Sequence, residues 1–82
     1  MVYINIPYVA ENDHIDRDRF VQELTFAEIS EDSRHEAYAA VYNRLPRGVN
    51  FAIDETDQAR SLLKVLLEMR IGYRITTESE YK

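Results

Sequence analysis

Between Gly48 and Thr77 the chain reads strand, helix, strand, and no other stretch constrains the fold as strongly. Val49, Phe51 and Ile53 alternate with Asn50 and Ala52, the period-two pattern of a half-buried strand. Asp54 is the expected N-cap of the helix that follows, with Glu55 and Asp57 adding favourable charge at its positive end. Asp57, Ser61, Lys64 and Glu68 share one narrow polar face, while Ala59, Leu62, Leu63, Val65, Leu66, Leu67 and Met69 cover the remaining arc. So wide an apolar arc predicts packing on two sides, or a sheet on one side and a partner on the other. The two-sided core is the commoner arrangement. Gly72 is expected to stop the helix, with Arg70 near its last carbonyls. Tyr73, Ile75 and Thr77 then alternate with Arg74 and Thr76 as a second strand.

The rest of the chain supplies the partners for this unit. Val2, Ile4 and Ile6 alternate with Tyr3 and Asn5, and Pro7, which lacks an N–H, sets an end to regular pairing near Ile6. Asn12 and Asp13 favour a loop, and Asp13 or Asp16 can cap a following helix. Phe20 to Ile29 fits both periods: Phe20, Val21, Leu24 and Ala27 suit a helical face, and Phe20, Leu24 and Phe26 suit a strand. The preceding aspartates, the Arg19–Glu23 spacing and the lack of a hairpin turn favour the helix. Ser33 to Glu36 matches a capping box. Ala37, Tyr38, Ala40, Val41 and Leu45 then form a helical stripe that Pro46 ends.

The element order is β-α-α-β-α-β. The last unit makes its two strands parallel and leaves room for a third between them, and only the opening strand can fill it. The expected fold class is therefore α+β: a two-layer sandwich whose three-stranded antiparallel or mixed sheet has its first strand central and helices on one face. Residues 1–82 are expected to form a single small domain, with residues 79–82 a frayed tail.

Charge narrows the function. Up to Leu45, nine acids (Glu11, Asp13, Asp16, Asp18, Glu23, Glu28, Glu31, Asp32, Glu36) face only Arg17, Arg19, Arg34 and Arg44, which accounts for the whole net charge of -5. No cluster of Lys and Arg offers a phosphate-binding surface, so direct nucleic-acid and anionic-membrane binding are not expected. Cysteine is absent, which removes disulfides and thiolate metal sites. No stretch approaches the roughly 20 apolar residues of a membrane span, and Met1 to Pro7 lacks the basic start of a signal peptide. Cytoplasmic localisation is the default expectation.

The order of elements resembles the fold shared by the C-terminal domain of the ribosomal stalk protein and the ClpS adaptor family. The stalk domain is echoed from Glu36-Ala37 to Leu45-Pro46 and in the final strand-helix-strand. ClpS proteins carry an Asn-Asp pair after the first strand and a Phe-Val pair opening the first helix. Asn12-Asp13 and Phe20-Val21 stand at similar spacing. The resemblance implies protein binding, with Asn12 and Asp13 holding the α-amino group of a peptide, as an amide oxygen and a carboxylate suit an ammonium. The chain departs from ClpS at Tyr42, where an Ala-Val-His run would place the His, and in lacking the Met- and Leu-rich pocket. It departs from the stalk domain in lacking the Lys-rich helical hairpin.

No chemistry announces itself. His14 and His35 lie outside any zinc-binding spacing, the two glycines cannot build a phosphate loop, and no serine sits in a motif that would activate it. The expectation is a non-catalytic protein without cofactor or metal. Six tyrosines are many for 82 residues, and tyrosine serves interfaces well. Tyr38 and Tyr42, four apart, form an adjacent pair, and Tyr3 and Tyr73 are expected to share a sheet face. The leading expectation is an acidic adaptor or regulator that binds a protein partner through Asn12, Asp13, Glu31, Asp32, Tyr38 and Tyr42. Two alternatives stand beside it: an acidic inhibitor that mimics DNA, and a homodimeric structural domain.

Overall fold

The structure is a computed structural model and describes residues 1–77. The expected frayed tail at 79–82 lies outside the described residues. The chain forms β1 (Val2–Ile6), a 3₁₀ turn (Ala10–His14), α1 (Arg17–Phe26), α2 (Glu31–Tyr42), β2 (Val49–Ile53), α3 (Thr56–Glu68) and β3 (Arg74–Thr76). The sheet order is β2-β1-β3. β1 is central and antiparallel to both neighbours, with Ile4 opposite Phe51 on one side and Ile75 on the other. This is the expected α+β arrangement. Pro7 falls just outside β1, so no ladder bond is lost.

Alternation along the strands separates the two faces. Ile4, Ile6, Phe51 and Ile53 are buried together with Phe20 and Leu24 of α1, Ala37, Ala40 and Val41 of α2, and Ala59, Leu62, Val65 and Leu66 of α3. Helices α2 and α3 contact the strands, and α1 packs against both of them. Residues 20–26 are helical, as Asp16 dictates: its carboxylate accepts from the Arg19 N–H at 3.1 Å and caps α1. Among the described residues no helix is long and apolar enough to cross a membrane.

Several helix ends differ from expectation. α2 begins at Glu31, capped by Ser30, whose hydroxyl accepts from the Ser33 N–H at 3.4 Å, so the cap stands three residues before the capping box. Its stripe stops short of Leu45, which is exposed, because the helix ends at Tyr42. The N-cap of α3 is Glu55 rather than Asp54, without a side-chain cap bond. Gly72 does not stop α3. Both α1 and α3 end in Schellman turns whose left-handed residue is not glycine: Glu28 has φ 59° and Arg70 has φ 60°. In these turns the Ile29 N–H donates to the Leu24 carbonyl at 3.2 Å, and the Ile71 N–H to the Leu66 carbonyl at 2.8 Å. Each strained residue thus delivers a buried isoleucine to the core. That burial offsets the roughly 1–2 kcal/mol cost of the left-handed backbone.

The broad apolar arc of α3 is covered only in part. Leu62 and Leu66 are sealed, Leu63 and Met69 are half-buried, and Leu67 is 70% exposed. Tyr3 and Tyr73 do not share a sheet face, since Tyr73 precedes β3 and packs against the core while Tyr3 alternates to the opposite side of Ile4. Gly48 fixes the entry to β2. Its φ is +78°, and a Cβ there would collide with the Ile6 carbonyl and stand 2.6 Å from Pro7 Cα.

Candidate functional site: the groove between α1 and α2

α1 and α2 meet through Phe20 and Leu24 on one side and Ala37, Ala40 and Val41 on the other, all buried. Toward the N-terminal end of α2 the two helices leave an open groove of about 340 Å³. Val21, Leu24 and Thr25 line it from α1, and Glu31, Arg34, His35 and Tyr38 from α2. Leu24 forms a buried floor, Val21 is 44% exposed, and Tyr38 is a half-buried wall. The polar members are tied down. The Thr25 hydroxyl donates to the Val21 carbonyl at 2.8 Å, and Arg34 donates to the Ile29 carbonyl at 3.1 Å. His35 and Glu31 stand 3.7 Å apart at the exposed rim. What remains is an apolar slot with charged lips, at the low end of the roughly 300–1,000 Å³ typical of ligand pockets.

The Tyr38 and Tyr42 rings are in contact, 4.8 Å between centroids and tilted by 52°. Tyr42 also meets the edge of Phe20 at 6.3 Å and lies under the Arg17 guanidinium at 4.6 Å. Its hydroxyl donates to the Ile15 carbonyl at 3.3 Å. Burial, and then the neighbouring Tyr38, push the Tyr42 hydroxyl above its ordinary pKa of 10.0.

No family model, curated protein or solved structure matches this chain. The site is therefore read from its residues alone. The six expected binding residues are not gathered in one place. Asn12 is 2% exposed, and its amide nitrogen donates to the Val41 carbonyl at 3.4 Å, anchoring the 3₁₀ turn to α2. Asp13 accepts from the Tyr8 hydroxyl at 2.8 Å and faces Arg44 at 3.5 Å. That hydrogen bond is the main cause that raises the Tyr8 pKa. Glu31 and Tyr38 line the groove, with Tyr42 one turn beyond Tyr38. Asp32 faces a different depression, with Ser33, Glu36, Ala52 and Asp54. Glu31 and Tyr42 stand at opposite ends of α2, about 16 Å apart at 1.5 Å per residue. Sequence reasoning missed Val21, Thr25 and His35. No signal in the sequence sets Val21 apart, since Phe20 and Leu24 of the same helix are buried while Val21 and Phe26 are exposed.

Proposed function

We propose that this protein is a non-catalytic protein-binding module whose α1–α2 groove receives an apolar side chain from a partner segment flanked by basic residues. The single observation that supports this reading is the groove itself: an exposed Val21 and a half-buried Tyr38 over a buried Leu24 floor, open to solvent. Its setting supplies the preference for positive charge. Glu31 stands at the lip, and the excess of carboxylates lies in the part of the chain that folds into α1, α2 and their flanks. A basic partner is steered by that field, more strongly at low salt. Of the groove's side chains with any catalytic potential, Thr25 donates to the Val21 carbonyl, and His35 stands exposed at the rim, 3.7 Å from Glu31.

Selection from a random peptide display tests this. The expected consensus is one large apolar residue flanked by Lys or Arg. The variant Val21→Asp is expected to abolish binding, and its melting temperature should stay close to the parent's because Val21 is exposed. Selected peptides that keep full affinity for that variant would overturn the reading.

A further inference from the structure

The opposite side of the molecule carries a polar assembly that the groove does not use. Asn5 sits between Ile4 and Ile6 in the central strand, and it is 2% exposed although it faces away from the helices. Its amide is fully engaged. The nitrogen donates to the Asn50 side-chain oxygen at 2.7 Å and to the Arg47 carbonyl at 3.2 Å. The oxygen accepts from Arg74 Nε at 3.3 Å and Nη2 at 3.2 Å. Strand register makes this possible, since Asn5 pairs with Asn50 in β2 and with Arg74 in β3.

The effect on Arg74 is specific. One edge of its guanidinium is fixed by two bonds to a neutral oxygen, so its orientation is set while its charge is left unneutralised. Among the described residues Arg74 has no carboxylate partner. Around it lies an open groove of about 350 Å³ lined by Asn5, Asn50, Arg47, Thr76 and the rings of Pro7 and Pro46. No acid lines it. The Asn50 amide nitrogen has no hydrogen-bond partner among the described residues, and the Thr76 hydroxyl is buried without one. The groups left over are the Asn50 amide donor, the Thr76 hydroxyl, which can donate or accept, and two guanidinium charges, on a chain whose net charge is -5.

We propose that the open face of the sheet is a carboxylate-binding site, in which Arg74, held edge-on by Asn5, receives an acidic side chain of a partner peptide, with Asn50 and Arg47 beside it. A planar carboxylate matches the remaining fork of a fixed guanidinium. The net negative charge of the chain disfavours a polyanion such as nucleic acid, whereas one carboxylate is screened from the distant acids within a Debye length of about 8 Å. Pro7 and Pro46 give the groove walls without N–H donors, so the bound group is oriented by Arg74 and the amide.

The test is a titration of the ¹⁵N-labelled full chain at constant ionic strength, following the Arg74 Nε–H signal and the side-chain amides of Asn5 and Asn50. The probes are a blocked tripeptide with a central glutamate, its glutamine counterpart, and inorganic phosphate. The glutamate peptide is expected to give saturable shifts at all three signals and the glutamine peptide none. Arg74→Lys should weaken binding roughly tenfold by losing the planar fork. Asn50→Asp, which places an internal carboxylate in the groove without changing side-chain size, should abolish it while the rest of the spectrum keeps its dispersion. Equal shifts from the glutamine peptide, undiminished binding by both variants, or tighter binding of phosphate than of the glutamate peptide would each overturn the assignment.

Discussion

The two faces of β1 solve opposite problems within five residues. Toward the helices, Ile4 and Ile6 are fully buried in an apolar core that carries α1 and α2 on its far side. Away from them, Asn5 is just as inaccessible, yet every polar atom of its amide is engaged. One face is stabilised by removing apolar area from water, and the other by a network whose members must all be present. The two faces therefore suit recognition in different ways. The covered face contributes rigidity and a groove above α2, whereas the open face contributes fixed donors.

Breaking the covered face should cost most. Ile4→Ala removes a fully buried side chain opposite Phe51 and Ile75, and about 3–4 kcal/mol of stability should be lost in urea unfolding. Gly48→Ala tests the turn that joins the faces. The positive φ and the collision with Ile6 and Pro7 predict a loss of about 2–3 kcal/mol by the same measurement. Asn5→Ala tests the open face and should cost about 1–2 kcal/mol, since it removes the amide's hydrogen bonds to Asn50, Arg47 and Arg74, whose exposed groups can turn to water. Smaller still, and of opposite sign, Arg70→Gly should stabilise by about 1 kcal/mol by relieving the left-handed backbone.

The smallest effect is on pH dependence. The Tyr42 hydroxyl has a pKa raised above 10.0 in the folded chain, so its contribution is whole below the unfolded value and is lost as pH climbs through the raised one. Alkaline titration of stability should therefore steepen above about pH 10, and Tyr42→Phe should flatten that fall.

Alternation located the strands Val2–Ile6 and Val49–Ile53, and the strand-helix-strand connection, which leaves room for one strand between its two, gave the sheet order; β3 was the least marked, since Arg74 and Ile75 are exposed. The segment 20–26 was resolved by Asp16, whose cap outweighs an ambiguous apolar pattern. The helix ends were harder. Nothing local marks Glu28 or Arg70 as left-handed, since the energy that holds them there comes from Ile29 and Ile71 entering a core built by distant residues. The Asn5–Asn50–Arg74 assembly was hidden for the same reason, as only register joins positions 45 and 69 residues apart. Of the candidate site, Glu31 and Tyr38 could be read from charge and spacing. The burial of Asn12 could not, because its partner is a backbone carbonyl of α2.

On this reading the two sides of the domain offer separate sites of opposite chemistry. The decisive experiment titrates a single NMR sample first with a lysine-flanked apolar peptide and then with the glutamate tripeptide. The predicted result is two disjoint sets of shifted signals, one around Val21 and Tyr38 and one around Asn5 and Arg74, each unaffected by the other ligand. Shifts that fall on one common set, or competition between the two peptides, would contradict it.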